Sequence, residues 1–333
     1  MPKIPISIVS GFLGSGKTTL LAQILKDEAY KNSAIIINEM GEVGLDDRIL
    51  ASQVSFVAEN MVLLKSGCIC CNKREDLIGR LKEILHDFEA RGESLERVVV
   101  ETTGLANLTP ILFSIQSDVF LSNHFYAESI LSCIDSANAT SHLQEEICKN
   151  QIAFSDIAVL TKLDMCENPS DIKSIKHTLL SINPYLQIYK KEDLPNDIFC
   201  RQKTPKIPQK HSSKNLPKIP QNSYDMDSIK NGLDGISSFV LRLENAVEWN
   251  VFGVWLSFLL YRYGEQILRI KGLIDTKDEK NQYLVAIDGA MHILHTPRHI
   301  PKTSNTKHKS EIVFIIKGLD KEKIIESFYA FCG

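Results

Sequence analysis

The sequence predicts an α/β protein: a doubly wound, mostly parallel sheet, followed by a smaller α+β unit. Three observations carry this expectation. An apolar, β-branched run from Ile4 to Ser10 feeds a glycine-rich loop that in turn feeds a helical stretch. Further short apolar runs recur between helical spacings as far as Leu160, the alternation that builds parallel strands joined by right-handed crossovers. A lysine- and proline-rich stretch then interrupts the composition, and a new set of alternating segments follows it. The expected division is 1–190, a connecting segment 191–232 and a final unit 233–333.

Gly11 to Thr18 reads Gly-Phe-Leu-Gly-Ser-Gly-Lys-Thr and fits G-x-x-x-x-G-K-[ST] at every fixed position. Gly11, Gly14 and Gly16 let the backbone N–H groups turn onto phosphate oxygens, and the following helix adds its positive N-terminus. Lys17 is expected at the β- and γ-phosphates, and the Thr18 hydroxyl at Mg²⁺. The helix is expected over Thr19 to Lys26, with Leu20, Leu21, Ile24 and Leu25 as its apolar residues.

Residues 34–38 read as a second buried strand ending in the polar loop Asn38-Glu39-Met40-Gly41-Glu42-Val43-Gly44. Loops at this end of parallel strands are where open α/β sheets place their chemistry. Residues 54–64 alternate weakly and lead into Ser66-Gly67-Cys68-Ile69-Cys70-Cys71. Residues 74–89 carry helical spacing in Leu77, Leu81, Ile84, Leu85 and Phe88. Val98 to Glu101 is a third strand, ending in Glu101-Thr102-Thr103-Gly104. A carboxylate there suits Mg²⁺, often through water, and a glycine N–H can sense a γ-phosphate. Ser129 to Asp135 and Ile157 to Leu160 are the fourth and fifth strands. Thr161-Lys162-Leu163-Asp164 follows the fifth; a carboxylate such as Asp164 can accept from the N–H and NH₂ of guanine, with the lysine stem over the base.

From Ile198 to Gln221 there are basic residues at Arg201, Lys203, Lys206, Lys210, Lys214 and Lys218 and no acid, and Pro-Lys-Ile-Pro-Gln occurs at both 205–209 and 217–221. This reads as an extended, solvated spacer. In the final unit, strands are expected at Ser237 to Leu243, Gln266 to Ile274, Tyr283 to Asp288 and Glu311 to Lys317. Helices are expected at Val247 to Arg262, on the spacing Val247, Val251, Val254 and Phe258, and at Lys321 to Phe331.

The 333 residues are 44% hydrophobic and 24% charged, with a net charge of −3, which argues against a nucleic-acid or membrane binder. The N-terminus runs directly into the first strand, so no signal peptide and a cytoplasmic location are expected. The apolar run near Val251 to Tyr261 is too short for a bilayer and reads as a core helix. Eight cysteines in a chain of this length are not a disulfide scaffold. Cys133 reads as core packing, whereas Cys68, Cys70 and Cys71 lie within four residues and their thiolates favour Zn²⁺ over Mg²⁺. All three reach one ion only if the chain turns, which Gly67 eases, and the fourth tetrahedral position is left to a carboxylate, water or client ligand. Glu39 and Glu42 are open between serving Mg²⁺ and water, completing the cysteine-bound metal, and being solvated loop acids. His292, His295 and His299 form a loose cluster that reads as ordinary surface histidines.

With these residues in order, the chain resembles the CobW family of P-loop GTPases, relatives of the nickel-insertion GTPases UreG and HypB. The resemblance rests on Gly11 to Leu20, Asn38-Glu39-x-Gly41-Glu42, Cys68-x-Cys70-Cys71, Glu101-Thr102-Thr103-Gly104-Leu105-Ala106 and Thr161-Lys162-x-Asp164. Arg269-Ile270-Lys271-Gly272 resembles the signature of the family's C-terminal domain. The resemblance implies slow GTP hydrolysis coupled to delivery of a transition metal. It implies nucleotide contacts from Gly11, Gly14, Ser15, Gly16, Lys17, Thr18, Thr19, Gly104, Thr161, Lys162 and Asp164, with Lys17 and Glu101 in catalysis. It implies Mg²⁺ on Thr18, and Zn²⁺, with Co²⁺ as the alternative, on Cys68, Cys70 and Cys71 with Glu39 and Glu42. The implied partners are a client metalloprotein and a nucleotide-dependent second copy of the chain. Two features depart from the family: Thr161 stands where most GTPases have Asn, and the spacer has only His211 where many members are histidine-rich. The rival readings are a P-loop ATPase or small-molecule kinase with incidental cysteines, a non-catalytic interaction module, and a cobalt- or iron-specific activator of a metalloenzyme such as nitrile hydratase.

Overall fold

The first strand, β1 (Ile4–Gly11), has Ile6, Ile8 and Val9 fully buried, as a parallel strand covered on both faces requires. It belongs to a computed structural model that describes residues 3–38, 61–64, 74–166, 169–200, 235–277, 283–302 and 309–332. After β1 come α1 (Lys17–Ile24), β2 (Ser33–Asn38), β3 (Met61–Leu64), α2 (Arg74–Ala90) and β4 (Arg97–Glu101). Then follow α3 (Leu108–Ser117), α4 (Val119–His124), β5 (Phe125–Asp135), α5 (Ala139–His142) and α6 (Glu146–Phe154). β6 (Ile157–Thr161), α7 (Pro169–Ile182) and β7 (Gln187–Lys190) complete the series. β1 to β7 make one sheet in the order β3-β2-β4-β1-β5-β6-β7, and every pairing in it is parallel. The chain runs outward from β1 to β3, returns through β4, and then builds β5 to β7 on the other side. β1 is therefore the point where the order reverses, and the loops at its C-terminal end open into a crevice.

The expected strands are all present, and β5 starts four residues earlier than its alternation suggests. Its register against β1 shifts between Ile6 and Ser7, where Ala127 and then Ser129 are the partners, leaving Glu128 as an extra residue. A bulge resets the two-residue period, which hid the first part of the strand. β7 is a half-exposed four-residue edge strand, too short to show a period. α1 and α2 bury the apolar residues expected of them, except that Leu85 is only half-buried.

By its contacts the chain divides into one compact unit of residues 1–179 and 186–202 and a second of 180–185 and 203–333. Residues 191–200, expected to begin the spacer, instead finish the first unit. Leu194, Ile198 and Phe199 are buried in its core beside Tyr30, Leu25 and Val159. The Tyr30 hydroxyl donates to Asn196 O at 2.9 Å and accepts from Phe199 N at 3.1 Å. The apolar residues that bury here are too widely spaced to signal an element. The rest of the spacer, 201–232, lies outside the described residues.

The second unit contains β8 (Ile236–Leu243), α8 (Trp249–Tyr263), β9 (Ile267–Asp275), β10 (Tyr283–Ala290), β11 (Ile293–Leu294), β12 (Arg298–Pro301), β13 (Ser310–Lys317) and α9 (Lys321–Cys332). Its antiparallel sheet runs β11-β10-β9-β13-β8, with β12 also paired to β10. Phe252, Trp255, Phe314 and Phe328 form its aromatic centre, and Trp255 Nε1 donates to Ser327 Oγ at 3.1 Å, joining the two helices. One expectation holds only in part: Val247 is buried and Val251 half-buried, but Val254 and Phe258 of the expected stripe are 47% and 63% exposed, and α8 instead buries Phe252, Trp255, Leu256, Leu259 and Leu260. A helix apolar on nearly all sides offers several stripes, and its own sequence does not choose between them. In the Arg269-Ile270-Lys271-Gly272 segment, Arg269 of β9 pairs with Asp288 of the adjacent β10, and a Cβ on Gly272 would lie 3.0 Å from Glu311 O. His292 binds Leu260 O, and His299 packs edge-on to Tyr283.

The packed 191–200 segment yields a stability prediction. A first unit ended after Lys190 loses three buried side chains, each contributing about 1.5–3 kcal/mol. It should unfold at markedly lower denaturant than a unit ended after Gln202; equal midpoints would show that the segment adds nothing to the core.

Candidate functional site

The C-terminal ends of β1, β4, β5 and β6 bring most of the expected nucleotide residues together. The loop between β1 and α1 takes left-handed backbone at Gly14 (φ 69°) and Gly16 (φ 83°). Gly16 caps α1 without any side-chain bond, so the N–H groups of the first turn are directed at the loop's interior. Lys17 Nζ donates to Gly11 O and Phe12 O, both at 3.1 Å, which folds the cation over the loop. Thr18 Oγ1 donates to Glu101 Oε1 at 2.6 Å in a buried pair that joins α1 to the end of β4.

Two glycines let neighbouring backbone segments approach the loop closely. A Cβ on Gly11 would lie 2.4 Å from Cys133 O, so the loop's first residue rests directly on the β5 backbone. A Cβ on Gly104 would lie 2.6 Å from Leu13 N, so the segment after β4 touches the phosphate loop backbone to backbone. Burial pushes the Cys133 thiol up to about 12, which fits its role as core packing beneath the loop.

The Thr161-Lys162-Leu163-Asp164 segment divides its work. Thr161 is buried, and its hydroxyl is shared between Ser15 O at 2.8 Å and Ile134 O at 3.1 Å. It joins the site by holding the phosphate loop. Lys162 takes a left-handed backbone (φ 53°) and donates to Asp135 Oδ2 at 2.8 Å. Asp164 lies exposed in the turn Leu163–Met165.

Two residues without a sequence signal of their own enter the site. Asp135, noted only as a strand end, also accepts from Ala137 N, Asn138 N and Asn138 Nδ2 at 3.1, 3.3 and 3.0 Å. Burial opposes its ionisation, but the bonds from Lys162 and Asn138 outweigh this and hold its carboxyl below the ordinary range. Its place at the C-terminal end of a parallel strand was the available clue. Gln151 on α6 donates to Gly104 O and Ala106 O, and no motif announces it.

The donor set fits the cation and ligand that the fold implies. Thr18 and Glu101 offer a hydroxyl and a carboxylate, the hard oxygens Mg²⁺ takes. Lys17 and the uncapped α1 terminus offer the positive groups a phosphate takes. Cys68, Cys70, Cys71, Glu39 and Glu42 lie outside the described residues. Among the described residues no three His, Cys, Asp or Glu side chains converge on a metal position, and no helix is long and apolar enough to cross a membrane.

A central parallel strand, a glycine loop, an uncapped helix and a carboxylate from the adjacent strand define a P-loop nucleotide-binding domain. The model of the CobW/HypB/UreG nucleotide-binding domain matches residues 5–190, and that of the cobalamin synthesis protein CobW C-terminal domain matches residues 236–332; the chain belongs to this family. It is 26% identical over 329 residues to the zinc chaperone YjiA of Escherichia coli K12, covering 98% of each chain. It is 33% identical over 184 residues to the zinc-regulated GTPase metalloprotein activator 1 of Schizosaccharomyces pombe, covering 54% of this chain and 44% of that protein. The crystal structure of Zn(II)-bound YjiA GTPase from E. coli shares the fold with a TM-score of 0.68 at 21% identity, over 99% of each chain.

The Asp135 environment makes a pH prediction. With its folded pKa depressed, Asp135 contributes stability above the unfolded carboxylate value of about 3.9, and that contribution is lost as pH falls through the folded value. Asp135→Asn should cost about 1 kcal/mol at pH 7 by unpairing the part-exposed Lys162. Denaturant unfolding should show the gap to wild type narrowing below about pH 4; a gap independent of pH would assign the loss to shape alone.

Proposed function

We propose that this chain is a GTP-dependent metallochaperone in which nucleotide binding and hydrolysis are coupled to transfer of a transition metal to a client protein. The observation that carries the nucleotide half is the buried Thr18–Glu101 bond at 2.6 Å, which brings a hydroxyl and a carboxylate to the mouth of the phosphate loop. The zinc half is supported by the names of the relatives YjiA and metalloprotein activator 1, and by three cysteines within four residues. A nucleotide domain that runs past residue 190 to include the packed 191–200 segment, and a C-terminal domain over 233–333 serving as a docking surface for the client, belong to this reading.

Mg²⁺, held by Thr18 and Glu101, would screen the charge of the phosphates. The N–H groups from Gly14 to Thr19 bind phosphate oxygens, and Lys17 leaves its loop carbonyls to neutralise them. Glu101 keeps the Thr18 hydroxyl oriented and stands where an attacking water can be held. Gly104 turns its N–H toward the terminal phosphate. Asp164 accepts from the guanine edge, while Thr161 holds Ser15 rather than the base. Catalysis in such a site is positioning and charge stabilisation.

Guanine recognition predicts that wild type binds GTP far more tightly than ATP. Asp164→Asn should shift preference toward xanthine nucleotides, whose C2 carbonyl needs a donor. Competition binding measures this, and equal affinity for ATP would transfer the site to an ATPase or kinase.

The chaperone claim needs coupling. One Zn²⁺ per chain is expected on Cys68, Cys70 and Cys71, with affinity about tenfold different between the GTP-analogue and GDP states, a coupling of about 1.4 kcal/mol. Replacing the three cysteines by serine should remove metal and coupling while sparing nucleotide binding. Metal titration in both nucleotide states tests it, with equal zinc affinity in the two as the outcome that rejects it.

A further inference from the structure

Gln151 is buried on α6 at 1% exposure and reaches the segment that leaves β4. Its Nε2 donates to Gly104 O at 3.2 Å and to Ala106 O at 3.1 Å. An amide nitrogen carries two hydrogens, so this one group grips the backbone on both sides of Leu105. On the opposite side of the segment Gly104 lies against Leu13 of the phosphate loop, with no room for even a Cβ. The Gly104 carbonyl is thus held by a side-chain clamp, while its Cα, one bond from its N–H, lies against the loop that receives phosphates.

The clamp is itself anchored to the sheet. Ser155 Oγ donates to Gln151 O at 2.7 Å and, with its own hydrogen committed there, accepts from Ser132 Oγ of β5 at 2.7 Å. A buried chain therefore runs from the sheet through α6 to the Gly104 segment. Gln151 Oε1 is buried without a hydrogen-bond partner among the described residues. A residue there for packing alone would be better apolar, because an unmatched buried acceptor is unfavourable. The amide is explained by the two bonds it donates.

We propose that Gln151 is a positioning residue that holds the Gly104 N–H at the phosphate loop and so sets how the site distinguishes a nucleoside triphosphate from a diphosphate. The proposal rests on the reading that this loop binds nucleotide phosphates. On that reading the terminal phosphate is the one that would meet the Gly104 segment, so loss of the clamp should leave diphosphate affinity in place. It weakens the triphosphate state and turnover, because a displaced donor no longer meets the charge that develops in the transition state.

The test uses the full chain with Gln151→Met, similar in size and without a donor, and Gln151→Glu, which presents acceptors to the two carbonyls. In both, GDP affinity should stay within about twofold of wild type, while the ratio of GTP-analogue to GDP affinity and kcat each fall about tenfold. Unchanged ratio and kcat would overturn the proposal, and so would equal losses of analogue and GDP affinity, which mark a structural role. A measurement free of any variant is hydrogen exchange of residues 102–107 in wild type, expected to be slower with analogue than with GDP; equal protection overturns the proposal. Should wild type prefer adenine nucleotides, the guanine reading fails, and the same ratio is taken with an ATP analogue and ADP.

Discussion

The register between β1 and β4 places Val9 opposite Glu101, and the remainder of the site depends on it. With that pairing, the last residue of β4 ends beside the loop leaving β1, and Glu101 reaches the Thr18 hydroxyl from the neighbouring strand. A parallel sheet is what makes this possible. Both strands present their C-terminal ends on one edge, so two segments more than eighty residues apart in sequence open at the same mouth. A slip of one residue would turn Glu101 to the other face of the sheet and leave Thr18 without its partner.

The same sheet explains what could be read in advance. Central strands buried on both faces are continuous apolar runs, and the motifs follow them at the strand ends, so strand and loop announce each other. Glu128 interrupts the period of β5, so the alternation shows only its later part, and the buried residues of 191–200 follow no period that marks an element. Nearly every face of α8 is apolar, so its sequence does not decide which residues turn inward. Asp135 and Gln151 escaped for a different reason. Their roles are hydrogen bonds to Lys162 and to the Gly104 segment, and partners distant in sequence leave no local pattern.

The function proposed for this chain would require two cation sites of different donor chemistry. Thr18 and Glu101 are oxygen donors, suited to a hard cation that dehydrates reluctantly. Cys68, Cys70 and Cys71 are thiols, suited to a borderline or soft one. On that proposal, donor softness would separate the ions and make them independently removable, which would allow coupling to be distinguished from shared ligation.

The phosphate loop is tethered from three neighbours at once. β4 holds it through Glu101 and the contact of Gly104 with Leu13. β5 supports Gly11 through the Cys133 backbone, and β6 holds Ser15 through the Thr161 hydroxyl. A loop fixed at its start, middle and end need not be ordered by its ligand, so binding free energy goes into affinity rather than into arranging the donors. Thr161 gains its importance here, since a hydroxyl is sufficient to hold a carbonyl and the longer Asn amide is not needed for that task. In the proposed function, the response to a terminal phosphate would then fall to segments that touch the loop without being part of it. Among the described residues, the stretch from Thr102 to Asn107 meets that condition: it contacts Leu13 through Gly104, and its own position is set from α6.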